Sequence, residues 1–210
     1  IDYEKGEARV EPGLVLDQLN AQLKRHGLFF PVDVSTSSRA TLGGMTGNNS
    51  CGARSIRYGK MVDNVLGVEA LLQNGEKIQF GEVDPKSLNG KHSSTRDHLL
   101  QQLFQIGIRE ADEVRQRFPE VQRRVGGYNI DELIPPDHGV LNPARLLVGS
   151  EGTLAFSTSI HLKLQPIPTH KVLGVCHFPS FYEAMDSTQH LVTLNPDAVE
   201  LVDRTMIELA

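Results

Sequence analysis

A chain of 210 residues, 39% hydrophobic and 22% charged, is long enough for one substantial domain or for one and a fraction. Its formal net charge of -5, with no clustering of basic residues, gives no reason to expect a nucleic-acid partner. Two cysteines, Cys51 and Cys176, build no disulfide framework, make a reducing compartment the default and cannot ligate a four-cysteine cluster. No apolar run approaches the ~20 residues that span a bilayer. With Ile1 first, no starting methionine and no signal-peptide pattern, the sequence reads as a piece of a longer protein.

In chain order, residues 8–11 read as a short strand running into a Pro12-Gly13 turn. Leu16, Leu19 and Leu23 recur at helical spacing within 15–26, and Gly27 is a C-terminal stop. Residues 65–72 and 77–80 flank Asn74-Gly75, the strongest short-range hairpin signal, and predict two paired strands. The polar stretch 84–94 reads as an exposed loop. A helix is expected over 96–118, with Leu99, Leu103 and Ile106 on its apolar stripe, Gly107 as a possible break and Pro119 as its end. The stretch 123–129, RRVGGYN, is irregular and carries a glycine pair. From Leu154 to Leu164 the even positions are apolar apart from Thr158, which predicts one long strand with the even face buried. Pro166 and Pro168 mark a boundary between residues 1–168 and 169–210. Beyond it, a strand over 172–177 and a helix opened by Ser180 with Glu183 as a capping box are expected. A returning strand over 199–202 and a further helix capped by Asp203 follow.

The stretch 35–59 is where chemistry concentrates. It holds five glycines, Gly43, Gly44, Gly47, Gly52 and Gly59, among small hydroxyl and amide residues such as Ser35, Thr36, Thr41 and Asn48. Glycines permit positive φ and close backbone approach, and successive N–H groups in such a loop form anion-binding nests. A long polar surface loop is the competing reading. Cys51 is either a reactive thiol or a small packed one. Arg123 and Arg124, with Tyr128, suit a carboxylate or are a solvated pair at a helix exit. The histidines His92, His98, His138, His161, His170, His177 and His190 lack metal-ligand spacing, so no metal site is expected.

The run TLGGMTGNNSCGARSIRYG (41–59), with DNVLGVEALLQNGE (63–76) and LLVGSEGTLAFSTSIHLKL (146–164), resembles the FAD-linked oxidases of the vanillyl-alcohol-oxidase (PCMH) type. Within that family it is most similar to the flavoprotein D-lactate, glycolate and D-2-hydroxyglutarate dehydrogenases, including bacterial ones with an iron–sulfur segment. The resemblance implies an α+β fold: the second subdomain of a PCMH-type FAD-binding domain over 1–168, mainly antiparallel sheet flanked by helices. Residues 169–210 would then begin a substrate-cap domain. It implies FAD contacts from Ser35, Thr36, Thr41, Gly43, Gly44, Gly47 and Asn48, with Cys51, Gly52, Tyr58 and Gly59 finishing that wall. Gly149, Glu151, Gly152 and Thr153 correspond to the second signature beside the cofactor, and Arg123, Arg124 and Tyr128 would lie near the substrate.

The activity so implied is oxidation of a D-2-hydroxy acid (D-lactate, D-2-hydroxyglutarate or glycolate) to the 2-oxo acid. A quinone, a cytochrome or an iron–sulfur relay would take the electrons. The catalytic base and any 4Fe-4S cluster are expected outside these residues, as is the first flavin subdomain, which the resemblance places before Ile1. Half of the FAD cradle is then missing, and exposed apolar surface is expected to favour self-association. The expected location is cytoplasmic, with peripheral attachment at the inner membrane open to the longer protein. A non-catalytic nucleotide- or anion-binding module, or another flavin reductase that shares the glycine-rich turn, are the alternative readings.

Overall fold

The computed structural model describes residues 1–89, 94–136 and 139–210. Four strands form its main sheet: β1 (Glu7–Val10), β3 (Val65–Leu71), β4 (Lys77–Gly81) and β5 (Phe156–Lys163), in the order β1-β5-β3-β4. Every pairing is antiparallel. A two-stranded ribbon joins β2 (Leu28–Phe29) to β6 (Gln165–Pro166). The Asn74-Gly75 signal is realised as the β3–β4 connection: Gly75 takes φ +83°, and the Asn74 side-chain oxygen accepts the Glu76 N–H at 3.0 Å.

Helix α1 (Leu16–Lys24) buries Leu16, Leu19 and Leu23, the residues its spacing selects, and Gly27 ends it at φ +69°. These leucines join Val10, Val68, Phe80, Ile160 and Leu162 of the sheet in one apolar cluster, which removes most of their hydrophobic area from water. Two short helices, α2 (Leu42–Gly47) and α3 (Ser55–Tyr58), occupy the glycine-rich stretch, and a third, α4 (Met61–Asn64), follows it directly. Leu42, Met45, Met61 and Val62 anchor α2 and α4 in the same core. Helix α6 (Ala144–Leu147) precedes the second signature.

Several expectations need correction. Helix α5 (Thr95–Arg117) runs through Gly107 without a break; it buries Val114 as expected, but its other buried residues are Leu100, Phe104 and Gly107, one step round from Leu99 and Leu103, which are only partly buried against the core. Gly107 is there for packing: a Cβ would sit 1.9 Å from the Leu133 carbonyl oxygen, in the 3-10 turn Ile130–Leu133. The stretch 84–94 is not simply an exposed loop. Pro85–Asn89 form a 3-10 turn that buries Leu88, and Gly90 to Ser93 lie outside the described residues, as do Asp137 and His138.

Strand β5 keeps its even face inward only at Ile160 and Leu162. In the β3 ladder Glu69 opposes Ser159 but Ala70 opposes Ser157, so Thr158 is an extra, bulged residue. A bulge of one residue reverses the faces beyond it. Phe156 therefore pairs with the exposed Leu71 and is itself 67% exposed.

Residues 172–177 and 199–202 are not strands, since neither finds a partner with which to share a ladder. The helices between and after them form as expected. Ser180 Oγ accepts the Glu183 N–H at the start of α7 (Phe181–Leu191), and Asp203 does the same for Met206 at the start of α8 (Arg204–Leu209).

Candidate functional site

Helix α2 explains most of the first glycine signature. Thr41 stands at its N-cap, where the hydroxyl accepts the Gly44 N–H at 3.2 Å. Thr46 is buried and donates its hydroxyl to the Leu42 carbonyl at 2.7 Å, which leaves no polar group of that residue unpaired inside. Gly43 lies against Pro12, where a Cβ would come within 2.6 Å of the proline Cβ. The outward side of the helix carries Gly44 and Asn48, both exposed, with Gly47 half-buried between the helix and the second signature.

The two signatures, about a hundred residues apart, are joined by backbone hydrogen bonds. Gly149 N–H donates to the Thr46 carbonyl at 2.8 Å and Glu151 N–H to the Gly47 carbonyl at 3.0 Å. These satisfy carbonyls that the C-terminal end of a helix leaves unpaired. The turn that does this is left-handed at Gly149 (φ +83°), Glu151 (φ +52°) and Gly152 (φ +72°). Gly149 is buried, while Glu151 and Gly152 face out. Thr153 donates its hydroxyl to the Ser150 carbonyl at 2.6 Å, so its oxygen can only accept from the Tyr128 hydroxyl 2.8 Å away. Tyr128 thereby spends its one proton on Thr153.

Two asparagines lock this junction from behind. Asn129, in the RRVGGYN stretch, donates to the Val148 carbonyl at 2.8 Å and the Arg145 carbonyl at 3.2 Å. Asn49 is fully buried in the left-handed region (φ +49°), and its side-chain oxygen accepts the Val62 N–H of α4 at 3.0 Å. Its Nδ2 has no partner among the described residues. Asn49 is one of the small amide residues of the glycine-rich stretch, and an Asn beside glycines, where its side chain tolerates the left-handed region, is the signal for it. Asn129 has no such signal, since its φ is -81°.

The remaining candidates have other neighbours. Gly52 packs on Asp33, with a Cβ position 2.2 Å from the Asp33 carbonyl oxygen, and Gly59 (φ +76°) packs on Asp63. Both glycines, like Gly43, are required by contacts within the chain. Ser35 and Thr36 sit in an exposed turn whose Thr36 carbonyl accepts from Arg39 and Ala40. Tyr58 meets Phe29 edge-on at 5.7 Å, and Cys51 is half-buried. Arg124 is bound by Asp131 and lies over the Phe118 ring at 4.5 Å, whereas Arg123 is exposed. Arg124 is therefore already engaged as a carboxylate partner. Among the described residues no group of three or more His, Cys, Asp or Glu is placed to hold a metal.

The geometry thus brings Gly47 of α2, Tyr128, Glu151, Gly152 and Thr153 together, with Asn48 next along the chain and Thr41 and Gly44 at the other end of α2. Residues 1–81 match the family described as FAD binding domain. The whole chain is 35% identical to D-2-hydroxyglutarate dehydrogenase of Escherichia coli, covering 100% of this chain and 21% of that protein. It is 30% identical over 99% of its length to the mitochondrial D-lactate dehydrogenase [cytochrome] of Arabidopsis thaliana, of which it covers 28%. The fold is shared with a solved alkyldihydroxyacetonephosphate synthase, at a TM-score of 0.54 and 18% identity over 94% of this chain and 27% of that one. The chain spans 21% of the length of the D-2-hydroxyglutarate dehydrogenases of Escherichia coli and Pantoea ananatis. The chain is thus similar over residues 1–81 to FAD binding domains, and over its whole length to part of the D-2-hydroxyglutarate and D-lactate dehydrogenases.

Proposed function

We propose that this chain is the FAD-holding part of a dehydrogenase that oxidises a D-2-hydroxy acid, such as D-2-hydroxyglutarate, D-lactate or glycolate, to the 2-oxo acid. The observation that carries this reading is the docking of residues 149–153 on the end of α2, which brings both signatures of an FAD-linked family to one surface. The residues fit the cofactor in a specific respect. Gly44, Asn48, Glu151 and Gly152 are exposed, and a Cβ on Gly152 would meet nothing within 4 Å, so backbone rather than side chain forms the surface there. Within the turn the N–H groups of Gly149, Ser150, Glu151 and Thr153 donate to carbonyls of the chain, which leaves the Gly152 N–H, in the left-handed region, to meet phosphate or the polar edge of a ring.

Bound FAD would supply the two-electron acceptor for hydride from the substrate Cα. The chain's own part is to bind and orient. The Gly149 and Glu151 N–H groups hold the turn on α2, Asn129 braces the Arg145 and Val148 carbonyls that lead into it, and Gly152 presents backbone to the ligand. Tyr128, its proton given to Thr153, offers a lone pair rather than a donor at the rim. The reading extends to the longer protein: a quinone, cytochrome or iron–sulfur acceptor, and a cytoplasmic setting with peripheral membrane attachment. A substrate-cap domain beginning near residue 169 belongs to the same proposal.

The test is an absorbance spectrum after desalting, for this chain and for the longer protein that contains it. Flavin bands in the longer protein, weakened by Gly152→Val, are expected. If neither protein shows flavin or takes up added FAD, the reading falls.

A further inference from the structure

Residues 169–210 bury no side chain. Their apolar residues Val172, Leu173, Phe181 and Leu194 line an open cleft of about 1440 Å³ whose other wall includes Phe29, Arg54 and Tyr58. Close packing therefore does little to fix this segment. Among the described residues, the hydrogen bonds and ion pairs that cross from it to the rest of the chain come from a single side chain, Arg57.

Arg57 lies on α3, next to Tyr58. Its Nε is 3.0 Å from Asp197 Oδ1, and its Nη1 donates to the Asn195 carbonyl at 3.3 Å. Asn195 takes the left-handed region at φ +54°, at the end of the 3-10 turn Val192–Leu194. One guanidinium thus lies in ion-pair range of a carboxylate and donates a hydrogen bond to a backbone carbonyl two residues away, while Asp197 Oδ1 finds no hydrogen-bond donor of acceptable geometry among the described residues. Three residues on, Lys60 Nζ donates to the Gln122 carbonyl at 3.3 Å. The run from Arg57 to Lys60 is therefore fastened on one side to the C-terminal segment and on the other to the stretch before Tyr128.

We propose that Arg57 is a latch that holds residues 169–210 over the Tyr58 end of the glycine-rich stretch, and that its release opens the cleft. The latch acts whether or not the site holds a flavin, so its test is independent of the cofactor assignment. Hydrogen–deuterium exchange of the 210-residue chain, read by mass spectrometry, compares Arg57→Ala, Asp197→Ala, the double variant and the exchanged pair Arg57→Asp with Asp197→Arg.

Each single variant raises exchange in α7 and residues 192–202 by about twofold to fivefold, the range open to a partly exposed ion pair. The double variant adds little to either single, the exchanged pair restores protection, and β3 and β5 stay as they were. Asp197 is remote from the core, so its effect cannot come from misfolding of the glycine-rich stretch. Unchanged exchange in both singles, additive effects in the double, an exchanged pair no better than the singles, or an equal rise in β3 and β5 overturns the proposal.

Discussion

Gly107, in the middle of α5, lies directly against the carbonyl of Leu133, so that a Cβ added there would stand 1.9 Å from the carbonyl oxygen. The glycine lets the helix approach the 3-10 turn that leads from Asn129. Helix propensity alone favours alanine at an interior position by about 1 kcal/mol. The backbone contact reverses that preference, because a main-chain oxygen cannot rotate away. Gly107→Ala should lower stability by about 1–3 kcal/mol, the usual range for overpacking. Urea denaturation measures it; an equal or raised midpoint would contradict the contact.

Asn49 makes a second test of packing against backbone. Its side-chain oxygen satisfies the buried Val62 N–H, and its backbone is left-handed. Asn49→Ala loses the hydrogen bond and places a Cβ residue that prefers other regions at φ +49°. The expected loss is about 2–3 kcal/mol. Asn49→Gly loses the same bond without the backbone strain, and should cost about 1 kcal/mol less. The order of the two variants in thermal denaturation decides the matter.

The carboxylate of Glu69 on β3 is held below its ordinary range, first by the hydrogen bond from Lys77 at 2.7 Å and then by that from Thr158 at 3.0 Å. A depressed folded-state value adds stability above the unfolded carboxylate's titration, and that contribution is lost as pH falls through the folded value. Lys77→Ala should raise the Glu69 titration seen by side-chain NMR. Its stability deficit should be present near neutrality and vanish in acid. A deficit that persists unchanged below the Glu69 titration would assign the loss to packing instead.

The Thr158 bulge makes neighbouring positions on one strand respond differently. Phe156→Ser should change stability by no more than about 0.5 kcal/mol, as for a surface residue. Ile160→Ala, on the inward face, should cost about 2–5 kcal/mol. Comparable losses from both would place Phe156 in the core and remove the bulge.

Much of the architecture was legible because it rests on local signals. The leucine spacing of α1, the Asn74-Gly75 turn, and the Ser180 and Asp203 caps all act over a few residues, and all appear where the sequence places them. Features that depend on distant partners were not legible. Nothing near Gly107 names Leu133, and nothing near Thr158 announces a bulge whose hydroxyl donates to Glu69. The strands expected over 172–177 and 199–202 failed for the same reason, since strand propensity does not supply a neighbour. At the candidate site, the motifs marked two segments that the fold brings into contact. They did not show that Gly43, Gly52 and Gly59 serve the chain's own packing, or that the Gly149 and Glu151 N–H groups are what tie the segments together.

The sheet order has a consequence for synthesis. Strand β5 lies between β1 and β3, so the amino-terminal strand has no partner until residues 160–163 have left the ribosome. Until then β1 and the outer edge of β3 stand open, while the β3–β4 hairpin can already form. Contacts of such wide sequence separation close late and slowly. The nascent chain therefore carries an unfinished edge from the making of β1 until β5 emerges, and β5 completes it from the middle.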